Sequence, residues 1–209
     1  MLLGANGAGK STTLRTLAGA IAPIDGEVRW QGAPTHAPLH RRARRGLSLV
    51  TEERSVFMGL TAEANLRLGR GPAERALDLF PELRPLVKRR AGLLSGGEQQ
   101  ILTLARALAT EPSALLADEL SLGLAPLVVN RLLAAVRKAA DRGVGVLLVE
   151  QHAAQALAIA DRGYVLRRGR VVLQGTAAEL SRDFDEVRNS YLTGAPSPLP
   201  EEAEPSNDS

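Results

Sequence analysis

Residues 4–12 read Gly4-Ala5-Asn6-Gly7-Ala8-Gly9-Lys10-Ser11-Thr12, which matches the pattern G-x-x-x-x-G-K-[ST]. The glycines allow turn conformations that are closed to other residues, so backbone N–H groups can point inward at phosphate oxygens. Lys10 supplies a positive charge for the β- and γ-phosphates, and the Ser11 hydroxyl is a ligand for Mg²⁺. An ordinary glycine-rich turn does not account for Lys and Ser in this order. The stretch therefore predicts a loop that binds a nucleoside triphosphate with magnesium.

The residues on either side of this loop predict a strand and then a helix. Apolar residues recur at helical spacing from Leu14 to Ile21, so a helix is expected to begin at about Lys10, with its positive dipole end toward the phosphates. A buried strand usually has about 4–8 apolar residues, but only Met1-Leu2-Leu3 precede the loop. We therefore expect either a very short strand or a chain that has lost its natural start.

Further along the chain, short apolar runs alternate with amphipathic segments, which is typical of a parallel α/β sheet. The predicted strands are 27–31, 47–50, 114–117, 144–149 and a hairpin with arms 164–166 and 171–173. Helices are predicted at 127–140 and from about 153 to 160, and Thr176-x-x-Glu179 is a capping box. A proline-broken helical stretch at 57–104 interrupts the alternation and indicates an inserted helical subdomain. The proline-rich, acidic segment 194–209 is predicted to be disordered.

Composition restricts the classes of function. The chain has 209 residues and no cysteine, which excludes disulfides and thiolate–metal sites. The three histidines are not spaced as metal ligands, and no apolar run approaches the roughly 18–20 residues of a membrane span. Arg41, Arg42, Arg44 and Arg45 form a basic cluster that could bind nucleic acid or lipid headgroups. Because 23 acidic residues nearly balance 26 basic ones, we interpret this cluster as a solvated face, with no nucleic-acid partner.

Two further segments carry chemistry. The apolar run from Ala114 ends in Asp118-Glu119. Beside a phosphate loop, Asp118 is placed to hold Mg²⁺ and Glu119 to orient or deprotonate an attacking water. The segment Leu94-Ser95-Gly96-Gly97-Glu98-Gln99-Gln100 is either a helix capping box or a helix N-terminus whose glycines allow a phosphate to approach closely.

Taken together, these segments resemble the ATP-binding cassette (ABC) ATPases over nearly all of residues 1–193. Gly4–Thr12 is similar to the Walker A motif, Leu94–Gln100 to the signature, Leu115–Glu119 to Walker B and Ser121–Leu124 to the D-loop. The resemblance implies a P-loop (RecA-like) parallel-sheet core at 1–56 and 105–193, with the helical subdomain at 57–104. It also implies a head-to-tail dimer in which each ATP lies between one Walker A and the other signature.

The same resemblance assigns roles to individual residues. The catalytic residues it implies are Glu119 and His152, the latter at the position of the switch histidine. The magnesium ligands it implies are Ser11 and Asp118. The ATP contacts it implies are Gly4, Ala5, Asn6, Gly7, Ala8, Gly9, Lys10, Ser11, Thr12 and Glu52. The signature residues facing the partner's ATP are Ser95, Gly96, Gly97, Glu98 and Gln99.

Within the family, the chain most resembles the ATPase subunits of branched-chain amino acid importers, although importers of urea or short amides look similar. The resemblance rests on Leu3–Lys10, Ser121–Val129, Leu147–Gln151 and Val165–Gly175, and on Glu52 where most ABC ATPases have the Q-loop glutamine. It implies a second, different ATPase subunit, membrane permeases, a substrate-binding protein and a place at the cytoplasmic face of the membrane.

The chain also departs from the family pattern. Leu120 replaces the proline that usually follows the Asp-Glu pair, and the N-terminal strands with their adenine-stacking aromatic are absent. We therefore expect exposed sheet edges and apolar surface. A truncated gene or a wrongly chosen start codon is the favoured explanation. Two alternatives stay open: a fragment that binds nucleotide weakly or not at all, and a non-transport ABC protein acting on DNA or the ribosome.

Overall fold

The main sheet and its helices were assigned in a computed structural model that describes residues 1–53, 55–150 and 153–182. The strands are β1 (Leu2–Gly4), β2 (Arg29–Trp30), β3 (Ala33–Pro34), β4 (Leu47–Val50), β5 (Ala114–Asp118), β6 (Gly145–Val149), β7 (Arg162–Arg167) and β8 (Arg170–Thr176). The helices are α1 (Lys10–Ala18), α2 (Leu39–Arg44), α3 (Ala62–Arg67), α4 (Ala73–Leu79), α5 (Gly96–Leu108), α6 (Pro126–Asp141), α7 (Ala153–Leu157) and α8 (Ala177–Arg182). Two 3₁₀ turns, Pro81–Leu86 and Ala91–Leu93, lie between α4 and α5.

The main sheet has six strands in the order β4-β5-β6-β1-β7-β8. All neighbours are parallel except the β7–β8 hairpin. The three-residue β1 is fully buried between β6 and β7, where Leu2 pairs with both Val149 and Tyr164. The predicted fold class is confirmed, and the short strand before the phosphate loop lies near the middle of the sheet.

Both faces of the sheet are covered, as is usual for parallel strands. Adjacent residues of one strand point to opposite faces. Leu2 belongs to the apolar cluster around α1, while Leu3 belongs to the cluster that includes α5, α6 and the helical segment. In β5, Leu116 likewise belongs to the cluster around α1, and Leu115 to the cluster that includes α5 and α6. The carboxyl ends of the parallel strands β1, β5 and β6 therefore lie close together at one end of the sheet.

The strand predicted at 27–31 is present but shorter than predicted. Only Arg29–Trp30 is extended, and it pairs with β3 in a separate two-stranded antiparallel sheet. Gln31 and Gly32 between them have φ angles of 49° and 83°. Positive φ at both central residues is the signature of a tight hairpin turn. This turn folds the segment back on itself, so the main sheet does not gain a strand here.

The segment between β4 and β5 is helical, as predicted, and contains α3, α4, both 3₁₀ turns and α5. The α5 helix continues past residue 104 to Leu108 and packs on β4 as well as on α3 and α4. Asn65 is fully buried in this segment. Its Oδ1 accepts a hydrogen bond from the Phe57 N–H at 2.8 Å, and its Nδ2 donates to the Phe57 and Thr61 carbonyls at 3.1 and 3.0 Å.

The interpretation of the basic cluster as a solvated face is wrong for Arg42. Arg41, Arg44 and Arg45 are exposed, but Arg42 is only 3% exposed. Its guanidinium donates hydrogen bonds to the carbonyls of Leu17 (2.6 Å), Ala37 (2.6 Å) and Thr35 (3.3 Å). Burial lowers the pKa of Arg42, yet an arginine stays charged in proteins. The positive charge sits at the C-terminal end of α1, where the helix dipole favours it.

The predicted hairpin is confirmed in β7 and β8, and its turn has positive φ at Arg168 and Gly169. The β8 strand forms an edge of the sheet and exposes Val171, Val172 and Leu173, so the expected apolar edge is present. The helix predicted from about 153 to 160 ends at Leu157. The predicted disordered tail, 194–209, lies outside the described residues.

Candidate active site

The phosphate loop connects β1 directly to α1, as predicted. Gly9 is the residue before the helix and has a φ of 101°, and Gly7 has a φ of 79°. Both angles lie in the left-handed region that glycine adopts without steric cost. The Ala8 N–H donates to the Ala5 carbonyl at 3.1 Å, which closes the turn. Because α1 begins at Lys10, its unpaired N–H groups face the loop.

The β7–β8 hairpin, whose strand β7 pairs with β1, contacts the phosphate loop directly. The Gly169 N–H donates to the Ala8 carbonyl at 2.9 Å. A Cβ atom on Gly4 would lie 2.6 Å from the Leu166 carbonyl oxygen, so only glycine fits at the start of the loop. These contacts join residues about 160 positions apart, and the sequence pattern did not indicate them.

Lys10 joins the loop to the acidic pair at the end of β5. Lys10 is 5% exposed, and its ammonium donates hydrogen bonds to the carbonyls of Gly4 at 2.7 Å and Ala5 at 3.2 Å. It also lies 3.9 Å from Glu119 Oε1. The sheet order places β6 between β5 and β1, so this contact spans the end of an intervening strand. The prediction that the two motifs share one site is therefore consistent with their placement.

Asp118 is the buried member of the acidic pair. Desolvation raises the pKa of its carboxyl, whereas a hydrogen bond from Ser11 and the charge of Lys10 act in the opposite direction. Its Oδ1 is buried without a hydrogen-bond partner among the residues that the structure describes. A buried oxygen of this kind normally has a partner. A carboxylate beside a serine hydroxyl is a suitable donor set for Mg²⁺, which prefers oxygen ligands.

This donor set uses one carboxylate and one hydroxyl, so it is not an all-protein metal cage. Consistent with that, the described residues contain no group of three or more His, Cys, Asp or Glu placed to hold a metal ion. Mg²⁺ in phosphate-transfer sites typically takes its remaining ligands from water and the substrate phosphates. The residues present therefore fit Mg²⁺ bound together with a triphosphate.

Glu119 follows the strand in an uncommon backbone conformation. Its φ is 48°, which few non-glycine residues adopt. Its N–H donates to the Val149 carbonyl at 2.9 Å. Its side chain lines a cavity of about 500 Å³ together with Asn6, Gly7, Gly9, Lys10, Ser11, Thr12, Glu52 and Leu122. This volume is in the range of small-molecule sites, and Glu52 lies in the same cavity as the loop, as the resemblance implied.

The signature segment forms the start of α5. Ser95 caps the helix: its N–H donates to Glu98 Oε2 at 2.7 Å, and its Oγ accepts from the Glu98 N–H at 3.3 Å. The Gln99 side chain donates to the carbonyls of Ala91 and Leu94 at 3.0 and 3.2 Å. Gln99 therefore stabilises the turn that precedes α5 inside its own chain. A Cβ atom on Gly97 would lie 3.1 Å from a Val128 methyl group, so this glycine also allows α5 to approach α6.

The predicted site residues thus form two groups. Glu52, Glu119 and six loop residues (Asn6, Gly7, Gly9, Lys10, Ser11 and Thr12) line one cavity. Gly4, Ala5, Ala8, Asp118 and residues 95–99 are not part of its described lining. His152 lies outside the described residues. Asn65 and Glu150 are buried polar residues that the sequence interpretation missed. For Glu150 the available signal was a carboxylate directly at the end of the apolar run Leu147-Leu148-Val149.

A parallel sheet whose buried strand ends in this loop, with a lysine and two acids at one edge, defines a P-loop nucleoside triphosphatase. Comparison with known proteins then narrows the class. A family model described as ABC transporter matches residues 1–121. The chain belongs to this family and is an ATP-binding, ATP-hydrolysing subunit.

Several curated relatives match most of the chain. The high-affinity branched-chain amino acid transport ATP-binding protein BraG of Pseudomonas aeruginosa is 43% identical over 92% of this chain and 87% of its own length. The probable branched-chain amino acid transport ATP-binding protein LivF of Archaeoglobus fulgidus is 38% identical over 86% and 80%. The lipopolysaccharide export system ATP-binding protein LptB of Acidithiobacillus ferridurans is 36% identical over 91% and 83%.

Solved structures agree on the fold. A nucleotide-free ATP-binding cassette from an ABC transporter superposes with a TM-score of 0.78 at 23% identity, covering 88% of this chain and 83% of that chain. The dimeric, post-hydrolysis cassette MJ0796 bound to ADP and Pi gives a TM-score of 0.74 at 26% identity, covering 84% of each chain. ABC ATPases of this kind work as dimers with membrane permease components. Within residues 1–53, 55–150 and 153–182, no helix has the length and apolar character to cross a membrane.

Proposed function

We propose that the chain powers uptake of branched-chain or related amino acids, acting at the cytoplasmic face of the cell membrane. The support is its higher identity to the two branched-chain amino acid transport proteins than to the export protein. The test is uptake of labelled leucine, isoleucine and valine in cells that lack the gene. Wild-type chain should restore uptake and Lys10→Ala should not. Undiminished uptake in the deletion strain would contradict the proposal.

Export is the second candidate, because the identity to LptB is only slightly lower than that to LivF. Membrane vesicles containing the chain and its permeases separate the two. ATP supplied on the side of the ATPase should move the amino acid toward that side for an importer. Movement of a lipid-linked substrate away from that side would favour the exporter.

We propose the following roles in hydrolysis. The loop N–H groups and Lys10 bind the β- and γ-phosphates, because the loop glycines and the α1 N-terminus face the cavity. Glu119 accepts a proton from the attacking water, which its carboxylate can reach from the cavity wall. Glu52 lines the same cavity, so its carboxylate can contact the attacking water or the bound Mg²⁺. His152 contacts the γ-phosphate.

Ser11 and Asp118 are proposed to hold Mg²⁺. The support is the buried Asp118 Oδ1, which has no hydrogen-bond partner among the residues that the structure describes, and the hydrogen bond between the two side chains. Bound Mg²⁺ neutralises charge that develops on the phosphate oxygens. Calorimetry of ATP binding with Mg²⁺ or with EDTA tests the assignment. Asp118→Asn should remove most of the difference between the two conditions, and an unchanged difference would exclude Asp118 as a ligand.

The test of the base is Glu119→Gln. The amide keeps the shape of the side chain but cannot accept the proton, so kcat should fall by about 10²–10⁴-fold while ATP still binds. Glu111→Gln is a matched control, because Glu111 has the same φ of 48° but does not line the cavity. Near wild-type turnover in Glu119→Gln would exclude the general-base role. His152→Ala and Gln151→Ala, compared in the same assay, test which of these neighbours is required for hydrolysis.

We infer that the signature residues act on ATP held by a second, different ATPase subunit. The support is that residues 95–99 do not belong to the described lining of this chain's own cavity. Leu127, beside the Val128 that contacts Gly97, is 82% exposed and supplies apolar surface at that face. Size-exclusion chromatography of Glu119→Gln with MgATP tests this. The chain should dimerise with the second ATPase and not with itself; a stable dimer of one chain would favour a homodimer.

We propose that the permeases dock in the groove beside β4. A cavity of about 350 Å³ lies between β4, α5 and the end of α3, and is lined in part by Leu49, Ser55 and Leu68. Leu68 is exposed, as are Phe57 and Met58 nearby in the chain. Leu68→Glu should abolish permease-stimulated hydrolysis and transport, since a charge opposes apolar docking. Unchanged stimulation would place the docking site elsewhere. A substrate-binding protein outside the membrane would select the amino acid.

A further inference from the structure

Glu150 is a buried carboxylate that the proposed chemistry does not use. It follows directly after β6, is 2% exposed, and is not part of the described lining of the ATP cavity. Both of its oxygens accept hydrogen bonds from Ser121. The Ser121 N–H donates to Oε1 at 3.1 Å, and the Ser121 hydroxyl donates to Oε2 at 2.5 Å. A charged acceptor makes such hydrogen bonds short and strong.

Val149, the residue before Glu150, binds the other side of the turn at residues 119–121. The Val149 carbonyl accepts the Glu119 N–H at 2.9 Å, and Val149 pairs with Asp118 in the sheet. Two consecutive residues at the end of β6 therefore bind the residues on both sides of Leu120. Leu120 itself is 1% exposed, so its side chain anchors the turn in the core.

The turn requires this support because of the backbone at Glu119. A left-handed φ of 48° is costly for a residue with a Cβ atom, and it persists only where surrounding contacts determine it. The Leu122 N–H donates to the Glu119 carbonyl at 3.3 Å, which is a weak local contact. The hydrogen bonds that Val149 and Glu150 accept from Glu119 and Ser121 are tertiary contacts that help to set this conformation.

We propose that Glu150 is a positioning residue for ATP hydrolysis: by binding Ser121 it fixes the turn that aims the Glu119 carboxylate into the cavity. The inference rests on the proposed role of Glu119 as the base. A carboxylate suits this position because it accepts from the N–H and the hydroxyl at once. Glutamine can keep both contacts, since its Oε1 accepts from the Ser121 N–H and its amide donates to the hydroxyl oxygen.

The test compares kcat, KM and ATP affinity for Glu150→Ala, Glu150→Gln and Ser121→Ala. A displacement of about 1 Å at a reacting group costs about 100-fold in rate, so Glu150→Ala should lower kcat by about that factor without weakening ATP binding. Glu150→Gln should restore most of the loss. Ser121→Ala should lower kcat about 10-fold, and the double variant with Glu150→Ala should be no slower than Glu150→Ala alone.

Glu179→Ala is the matched control. Glu179 Oε2 accepts from the Thr176 N–H and hydroxyl at 2.8 and 2.9 Å, the same pair of groups at the start of α8. This variant should keep its kcat. Normal turnover in Glu119→Gln overturns the general-base role and the inference with it. If Glu119→Gln stalls, a normal kcat in Glu150→Ala or in Ser121→Ala overturns the inference alone, as does a loss in Glu150→Gln equal to that in Glu150→Ala. Should Glu150→Ala not fold, Ser121→Ala and Glu150→Gln still decide the matter.

Discussion

Arg42→Met should destabilise the protein far more than the same change at its neighbour Arg41. Both arginines belong to one basic stretch, but Arg42 is buried while Arg41 is exposed. Methionine approximates the apolar stem of arginine and removes the guanidinium. The carbonyls of Leu17, Ala37 and Thr35 then lose the donor that they share.

The size of the effect follows from these three acceptors. A buried carbonyl left without a donor costs about 1–3 kcal/mol. Removing the guanidinium also ends its own desolvation penalty, which is several kcal/mol for a buried ion. Because the two effects oppose each other, we expect a net loss of about 3 kcal/mol in the free energy of unfolding. At about 2–4 °C per kcal/mol for a chain of this size, Tm should fall by about 6–12 °C.

The assay is thermal and urea unfolding followed by circular dichroism, with EDTA and without nucleotide, because a bound ligand would add its own stabilisation. Arg41→Met should stay within about 0.5 kcal/mol of wild type. Equal Tm values for Arg42→Met and Arg41→Met would refute the reasoning, since they would mean that the buried guanidinium contributes no more than a solvated one.

Three further changes test other contacts. Asn65→Leu removes the side chain that binds the Phe57 and Thr61 backbone, and should cost about 2–3 kcal/mol in urea unfolding. Gly71→Ala places a Cβ atom 2.0 Å from the Ala109 carbonyl oxygen, so it should unfold at a much lower temperature than Gly59→Ala, where a Cβ meets nothing within 4 Å. The raised pKa of Asp118 means that the folded state binds this proton more tightly than the unfolded state. The stability that this group contributes therefore falls as the pH rises from 3.8, the ordinary pKa of the carboxyl, through its higher pKa in the folded state. Measurements of Tm against pH in EDTA should show this fall in the wild type and not in Asp118→Asn.

The parts of the fold that depend on neighbouring residues could be predicted from the sequence. The phosphate loop and the start of α1 at Lys10 need only the glycines and the apolar spacing around them. The capping boxes at Ser95 and Thr176 are also local, because each hydrogen bond spans residues three apart. The strand that ends in Asp118 was found because an apolar run followed by two acids is itself a local pattern.

The parts that were missed depend on residues far apart in the chain. From the sequence alone Arg42 cannot be distinguished from the exposed arginines beside it. It is buried only because the fold packs α1 and the segment 35–37 around its guanidinium. Glu150 and Ser121 are 29 positions apart, and neither residue type indicates the other. The strand predicted at 27–31 is a different case, because the tight turn at Gln31 and Gly32 that ends it is local.

Charge gives a physical reason for the proposal that a second subunit completes the ATP site. Among the cavity's described lining residues, Lys10 supplies one positive charge, while Glu52 and Glu119 supply two negative charges. A triphosphate adds several more negative charges, and unpaired like charges at these distances are costly in a partly buried site. In the proposed site, the loop N–H groups and Mg²⁺ held by Ser11 and Asp118 would offset part of this repulsion. The N-terminus of a thirteen-residue helix, α5, would offset more if a second subunit presents it, as we propose. Because the chain's own α5 does not line this cavity, tight ATP binding and dimerisation should depend on each other and on Mg²⁺.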